Sequence, residues 1–445
     1  MAVHPIDYRY GSPEMRRVFE EEQKLQRLLD VEAALARAHA AVGNISREEA
    51  EEITRKASTV YVRLSRVKEI EVAIKHDLMA VVEALAEACG EAGRAVHLGA
   101  TSYDIIDTAN ALQFKAALSI VERDLEELEE VLLGLAEKHK SLVAVGRTHG
   151  QHATPITYGL KFALWSREIR RHLHRLKELK KRVLVGKMSG AVGTMASFGE
   201  KGFEIQDRVM QDLGLRPAMV SSQVVQRDRY AELLLFLALV AASLDKFGKE
   251  IRNLMRTEIA EVSEPFGAEQ VGSSTMPHKR NPIDSEKVCG LARVVKSNVF
   301  PALENVSLEH ERDLTNSSCE RAIIPESFIL LDEILKTMKK VLKGLVLHPE
   351  QIKKNLHLTR GLNMAEAVML ALVERGIPRQ EAHRLMRKLS GEARAKGVGL
   401  VDVIKESGEM RKLLGDHPER FLDPESYIGT AVEQVERVLR AGRRK

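Results

Sequence analysis

The chain has 445 residues, 44% hydrophobic and 30% charged; it can bury a large core and should form two or three domains. Its formal net charge of +4 is concentrated in no one domain, which gives little support to nucleic-acid binding. Aromatic residues make up only 4% of the chain, and this composition favours helices over sheets because strands draw on aromatic and β-branched residues.

The first hundred residues have helical patterns. A helix is predicted from Ser12, a favourable N-cap before Pro13, to about Ala41. A capping-box pattern at Ser46 opens a second, shorter helix. From Val67 to Ala88 the apolar residues recur at helical spacing, which predicts one helix with Lys75-His76-Asp77 in its middle.

Long helical patterns follow, interrupted by short polar breaks. Asp107 is expected to cap the first of them. The predicted long helices cover residues 107–140, 156–185, 227–256, 282–308 and 323–345, with a shorter one at 205–213. Helices of this length argue for a bundle that continues across subunits, so an oligomer is expected, and a monomeric bundle is the alternative.

Beyond residue 346 the predicted helices become shorter, and breaks occur near Gly361, Pro378 and Pro418. We therefore predict an all-α protein with three helical domains. They comprise an N-terminal domain over 1–103, a long-helix bundle over 104–346, and a C-terminal domain over 347–445.

Three breaks between helices carry reactive side chains: residues 97–104, 146–155 and 272–282. In the third, Gly272 precedes small hydroxyl residues that leave backbone N–H groups uncovered, and Lys279 and Arg280 add positive charge. These features would suit a ligand rich in carboxylates. The plain alternative is a basic surface connection, just as Thr101 and Ser102 could simply cap or turn the chain.

No motif for a metal or a nucleotide cofactor is evident. His149 and His152 lie three residues apart, but no cysteine or acidic cluster accompanies them at ligand spacing, so zinc is not expected. The sequence contains no phosphate-binding loop and no dinucleotide fingerprint. Chemistry without a cofactor is therefore predicted.

The cysteines and the hydropathy pattern bear on the compartment. Cys89, Cys289 and Cys319 are too few and too scattered for a disulfide framework, which predicts a reducing, cytoplasmic setting. The apolar run from Leu233 to Leu244 is shorter than the roughly 20 residues that span a bilayer, so no membrane association is expected. Sparse amide residues beside abundant Glu, Lys and Arg favour a heat-tolerant source.

The stretch Gly272–Pro282, which reads GSSTMPHKRNP, resembles the signature loop of the fumarase/aspartase superfamily. Its HKRNP ending is similar to the adenylosuccinate lyase family. Other motifs that resemble this family are Arg9-Tyr10, Lys75-His76-Asp77, Thr101-Ser102, Arg147 to His152, Gln223, Glu286 and Arg312 to Arg321. One departure is Tyr103, which stands where family members often have a small residue.

The resemblance implies an activity, an assembly and a fold. The family cleaves adenylosuccinate to AMP and fumarate, and also releases fumarate from the succinocarboxamide ribotide of purine synthesis. It folds as a long-helix bundle that assembles into a homotetramer with sites shared between subunits. The implied partner is thus a nucleotide monophosphate substrate, with no nucleic acid, no membrane and no cofactor.

The resemblance also implies roles for individual residues. His149 is the general acid and Ser273 the base, with the neighbouring Ser274 left as the alternative base. His76 assists near the phosphate or leaving group, and Glu286 orients His149. The other predicted substrate-binding residues are Arg9, Tyr10, Lys75, Asp77, Thr101, Ser102, Gln223, Ser274, Arg280, Arg312, Ser317 and Arg321, with Lys279 and Asn281 holding the succinyl carboxylates.

Other interpretations of the same residues remain. A carboxymuconate cycloisomerase has a very similar loop but binds no nucleotide, so Arg9-Tyr10 and the segment from Arg312 to Arg321 argue against it. Argininosuccinate lyase and fumarase differ at the positions of His278 and Arg280. A non-catalytic helical scaffold would have no reason to keep Ser273, His149 and Lys279.

Overall fold

Helices make up most of the computed structural model, which describes residues 4–267, 269, 272 and 274–443. This confirms the predicted all-α class. The N-terminal helices are α1 (Pro5–Tyr8), α2 (Pro13–Phe19), α3 (Glu21–Ala41), α4 (Arg47–Lys56), α5 (Leu64–Ile74) and α6 (Asp77–Cys89). Both predicted caps are present, because the Ser12 hydroxyl accepts from the Met15 amide and Ser46 forms a capping box with Glu49.

The single helix predicted from Val67 to Ala88 was wrong. Lys75 takes a left-handed conformation with φ 59° and ends α5, and His76 is the extended N-cap of α6, accepting a hydrogen bond from the Met79 amide. The apolar spacing continues through this break because both helices bury one face in the same core. Lys75, His76 and Asp77 therefore lie at a helix junction rather than in mid-helix.

The long helices follow. They are α7 (Ser102–Lys138), α8 (Tyr158–Val183), α10 (Asp228–Leu254) and α13 (Thr315–Lys343), with the shorter α9 (Gly202–Leu213), α11 (Ile283–Ser297) and α12 (Val299–Glu304) between them. Asp107 lies inside α7 and does not cap it. The predicted helix 282–308 divides at Asn298, whose side chain donates to the Glu326 carboxylate and the Ser327 hydroxyl.

The strands are short, and the sequence predicted none of them. β1 (Val143–Thr148) and β2 (Gln151–Thr157) form an antiparallel hairpin where a loop was expected, with an irregularity between Val145 and Arg147. β3 (Val185–Gly186) pairs in parallel with β4 (Arg216–Pro217), and β5 (Val262–Ser263) pairs antiparallel with β6 (Val346–Leu347).

Short helices complete the C-terminal part, in agreement with the prediction. They are α14 (Pro349–His357), α15 (Ala365–Glu374), α16 (Arg379–Lys396), α17 (Leu400–Glu406), α18 (Gly408–Leu414) and α19 (Ala431–Arg443). Leu372, Met386 and Leu400 belong to a buried cluster that α15 to α18 share.

The chain divides into two compact units, each built from three stretches. Unit 1 comprises residues 1–126, 171–246 and 287–337, and unit 2 comprises 127–170, 247–286 and 338–445. The predicted division at residues 103 and 346 follows chain order and stays a prediction. None of the helices described in the structure is long and apolar enough to cross a membrane.

Candidate active site

His149 lies at the tip of the β1–β2 hairpin in unit 2. It forms the two-residue turn with Gly150, at φ 54° and 74° respectively, and the flanking Thr148 and Gln151 are paired. Positive φ at both central positions suits the twist of a hairpin, and glycine adopts it freely. A histidine in this conformation is uncommon. The turn leaves the imidazole exposed within one chain.

A buried carboxylate anchors the base of this hairpin. Glu261 accepts hydrogen bonds from the Arg147 guanidinium at 2.5 Å, the Tyr158 hydroxyl at 2.6 Å and the Asn355 amide at 2.9 Å. Burial raises the pKa of Glu261, but these three donors outweigh it, and the net pKa lies below the ordinary value. Arg147 is two residues from His149, so Glu261 fixes the strand that presents the imidazole.

His152 follows on the second strand and pairs across the hairpin with Arg147. Its Nδ1 is buried, with no hydrogen-bond partner among the described residues. Burial is the main cause that lowers the pKa of His152, and the positive charge of Arg147 lowers it further. Within the part of the chain that the structure describes, no three His, Cys, Asp or Glu side chains group as metal ligands.

The loop 272–282 also belongs to unit 2. Ser273, the predicted base, lies outside the described residues. The Asn281 amide donates to the Gly272 carbonyl at 3.1 Å. A Cβ on Gly272 would lie 2.2 Å from the Lys279 carbonyl oxygen, so only glycine permits this close approach. The two ends of the loop are thereby held together, while Ser274 and Lys279 between them are exposed.

Two further predicted residues flank this loop. Arg280 stacks over the Phe266 ring at 4.9 Å from the ring centre. Glu286 is exposed in the first turn of α11, and Glu264 caps the same helix by accepting from the backbone amide of Ser285 at 2.7 Å. Among the described residues, no hydrogen bond joins Glu286 to His149.

In unit 1 the structure brings His76, Asp77 and Arg321 together. The Arg321 guanidinium lies 2.5 Å from the Asp77 carboxylate, and the His76 Nδ1 lies 3.7 Å from the same side chain. Burial raises the pKa of Asp77, but the Leu78 amide and Arg321 outweigh it, so the net pKa is lowered. Asp77 therefore holds the guanidinium group of Arg321 beside the junction between α5 and α6.

Arg312 and Gln223, two residues predicted separately, contact each other in unit 1. The Arg312 Nη1 donates to the Gln223 side-chain oxygen at 3.0 Å, and the guanidinium lies 3.6 Å from the centre of the Tyr103 ring. Its Nε and Nη2 are buried, with no hydrogen-bond partner in the described ranges. Ser317 lines the same cleft as Tyr103 and lies near its phenol.

Thr101 and Ser102 lie at the start of α7. The Thr101 amide donates to the Asp104 carboxylate at 2.8 Å, and Asp104 forms a fully buried ion pair with Lys187 at 2.5 Å. Asp104 also accepts from the backbone of Ser189 at 2.8 Å. One buried carboxylate thus joins the predicted Thr101 segment to the Gly-rich stretch after α8.

A cleft of about 470 Å³ in unit 1 is lined by three predicted residues, Asp77, Ser317 and Arg321, together with Tyr103 and apolar side chains. Arg9 is exposed and lies 5.8 Å from the Tyr10 ring. Arg9 and Tyr10 do not line this cleft.

Sequence reasoning missed the buried groups that support these residues. Arg227 is 2% exposed and donates to Asp107 and Glu320, and Glu261 holds the hairpin. His97 takes a left-handed conformation and lies 2.6 Å from Glu32. The partners are far apart in the chain, so no local pattern could have identified the pairs.

Comparisons with known proteins agree with these observations. A family profile described as "Lyase" matches residues 7–296, and one described as "Adenylosuccinate lyase C-terminus" matches residues 361–438. The adenylosuccinate lyase of Pyrococcus horikoshii is 66% identical over 439 residues, covering 99% of this chain and 98% of that protein. That of Methanocaldococcus jannaschii is 52% identical, covering 100% of this chain and 97% of its own.

A solved structure also matches over the full length. The 3-carboxy-cis,cis-muconate lactonizing enzyme from Pseudomonas putida has a TM-score of 0.90 at 35% identity, with 99% of both chains covered. The fold is thus shared with an enzyme that is named for a different substrate. The higher sequence identities to adenylosuccinate lyases and the match to the adenylosuccinate lyase C-terminus distinguish this chain from that enzyme. The chain belongs to the adenylosuccinate lyase family.

Proposed function

We propose that this lyase eliminates fumarate from adenylosuccinate, giving AMP, and from the succinocarboxamide ribotide of purine synthesis. The observation that carries the proposal is the full-length similarity to adenylosuccinate lyases, which greatly exceeds the similarity to the muconate enzyme. Arg321 lines the unit 1 cleft with Ser317, and Arg312 lies against Tyr103 of the same cleft; both arginines fit a substrate that carries a phosphate.

The chemistry needs a base, an acid and fixed positive charge. Once its own hydroxyl proton has been drawn off, Ser273 takes the proton from the carbon next to a carboxylate, and the electron pair left behind is stabilised in an aci-carboxylate. That pair then forms the carbon–carbon double bond of fumarate as the C–N bond breaks, and His149 gives its proton to the leaving nitrogen, which keeps the C–N electron pair. Lys279 and the loop amides hold the carboxylate, so side chains and backbone supply every part of this scheme.

We infer that each site draws on several subunits of a homotetramer. Glu286 is expected to orient His149, which requires the two side chains to be neighbours, yet both are exposed within one chain. Leu235 and Leu239 are exposed apolar residues one turn apart on α10, and Phe300 on α12 is 76% exposed. Apolar side chains exposed along long helices are typical of faces that an assembly buries.

Activity is tested by following the absorbance of fumarate released from adenylosuccinate. A parallel assay uses 3-carboxy-cis,cis-muconate as the alternative substrate. The muconate alternative rests on the shared fold, and turnover of that compound alone would overturn the proposal. His149→Gln should cut kcat by about 10²–10⁴-fold, the usual worth of a positioned acid. His417→Gln, at another exposed histidine of unit 2, is the matched control and should leave kcat unchanged.

Shared sites make a further prediction. When inactive Ser273→Ala chains exchange subunits with inactive His149→Gln chains, some sites receive an intact residue from each parent and activity should partly return. Verified exchange without recovery would mean that one chain supplies both residues or that one role is wrong. Light scattering should give the mass of a tetramer, and a monomer at micromolar concentration would contradict the shared site.

The compartment and the working temperature are also part of the proposal. Cys89, Cys289 and Cys319 form no disulfide, which suits a reducing cytoplasm. Ion pairs such as those of Arg66 with Glu69 and Glu87 form a surface network of the kind whose stabilising contribution increases with temperature. A melting temperature in the ordinary mesophilic range, about 45–65 °C, would contradict a heat-tolerant source.

A further inference from the structure

We propose that Tyr103 is a positioning residue of the substrate site. It holds Arg312 in place so that the Nε–Nη2 edge of the guanidinium faces an oxyanion of the ligand, either the phosphate or a carboxylate. The inference rests on the proposed function and adds to it a residue that the family's signature motifs do not include.

The contacts of Arg312 leave one defined part of its guanidinium available. Its Nη1 is occupied by Gln223 at 3.0 Å, and its face lies 3.6 Å from the Tyr103 ring centre. The Nε and Nη2 are buried and have no hydrogen-bond partner among the residues that the structure describes. These two nitrogens form the edge whose parallel N–H groups bind two oxygens of a carboxylate or phosphate at once.

Leaving such donors buried and unpaired is costly, because they have lost water and gained no acceptor. The Tyr103 ring offsets part of this cost by a cation–π contact with the face of the guanidinium. The contact leaves both edge donors available. A side chain without an aromatic face at position 103 would let Arg312 turn toward solvent.

Tyr103 is itself held by its other contacts. It is 6% exposed, and its phenol lies near Ser317. The guanidinium of the buried Arg227 lies 5.7 Å from the same ring, and Arg227 is fixed by Asp107 through two hydrogen bonds of 2.8 and 2.9 Å. The ring therefore gives Arg312 a rigid surface.

Two substitutions separate the ring from the hydroxyl. Tyr103→Phe keeps the ring under Arg312 and should leave KM for adenylosuccinate within about threefold of the wild type, since the lost hydroxyl can account for at most one neutral hydrogen bond. Tyr103→Leu removes the aromatic face and should raise KM about tenfold, the scale of a partly desolvated cation–π contact, with kcat little changed. Equal effects of the two variants would overturn the proposal.

A double-mutant cycle tests whether Tyr103 acts through Arg312. Once Arg312→Gln has removed the guanidinium, adding Tyr103→Leu should raise KM no further. Additive effects would show that Tyr103 acts elsewhere. Tyr230→Phe, which alters a second aromatic neighbour of Arg227 at 4.3 Å, is the control; any loss of thermal stability there should leave KM unchanged.

Direct binding identifies the oxyanion and keeps the two proposals apart. Calorimetry with AMP probes the phosphate, and calorimetry with succinate probes the carboxylates; Tyr103→Leu should weaken one of the two by the same factor as KM. If it weakens neither, Tyr103 does not position Arg312. A wild-type protein that neither binds AMP nor releases fumarate overturns the proposed function, whereas an active wild type with an unaffected Tyr103→Leu overturns this inference alone.

Discussion

Replacing Arg227 by methionine tests how much one buried charge network contributes to stability. The guanidinium is 2% exposed and donates to both carboxylate oxygens of Asp107 and, at 2.8 and 3.2 Å, to both of Glu320. Methionine has a similar length but no charge. The variant would leave two carboxylates buried without the cation that compensates them.

The size of the effect follows from this burial. Removing one partner of a buried pair costs about 3–5 kcal/mol. An unfolding entropy of about 2.1 cal/mol/K per residue over 445 residues gives about 0.9 kcal/mol/K. If the chain unfolds as a whole, Arg227→Met should therefore lower Tm by about 3–5 °C.

A surface pair of the same chemistry provides the control. Arg182 and Glu232 form a two-pronged ion pair in the same unit, but their side chains are 49% and 38% exposed. Such pairs contribute about 0–1 kcal/mol, so Arg182→Met should lower Tm by about 1 °C or less. Both melts are recorded by scanning calorimetry at one protein concentration, because assembly shifts Tm by mass action. Equal shifts would refute the reasoning.

Two further predictions concern left-handed residues. Burial lowers the pKa of His97, but the hydrogen bond and charge of Glu32 outweigh it, so the net pKa is raised. The His97–Glu32 pair therefore stabilises the fold fully below the ordinary histidine pKa of 6.5, and this stabilisation is lost as the pH rises through the raised pKa. His97→Gln should thus lower Tm more at about pH 5.5 than at about pH 9, and a loss independent of pH would contradict this. Gly150 has φ 74°, and apart from its own chain neighbours none of the described residues has an atom within 4 Å of the position that a methyl group there would take. Gly150→Ala should therefore cost about 1 kcal/mol through backbone conformation alone, while Gly150→Asn, which tolerates that conformation, should cost less. Circular dichroism melts compare the two, and an equal cost would rule out the turn conformation as the cause.

The sequence predicted those elements whose signals are local. Ser12 and Ser46 mark the starts of α2 and α4 because a cap bonds an amide only three residues away. The junction at Lys75 had no such mark, since lysine is an ordinary helix residue. The apolar spacing also runs on through it, because α5 and α6 face one core.

The candidate site was predicted only in part for the same reason. His149 was identified as a site residue, but the hairpin that carries it was not predicted. Its turn has the sequence His-Gly, whereas Asn-Gly or Asp-Gly usually indicates a hairpin. Glu261 bonds Arg147, and Arg227 bonds Asp107, across more than a hundred residues of chain. Such pairs depend on the tertiary fold, so no pattern of neighbouring residues indicates them.

The interleaved composition of the two units bears on how the chain folds as it is synthesised. Unit 1 includes residues up to Thr337, and unit 2 includes the last stretch, Met338–Lys445. Neither unit is complete when the ribosome has made only the first half of the chain, so neither can finish folding until segments from the second half emerge. The nascent helices must keep their apolar faces from aggregating until distant segments emerge, and a chain released before Lys287 would lack part of both units.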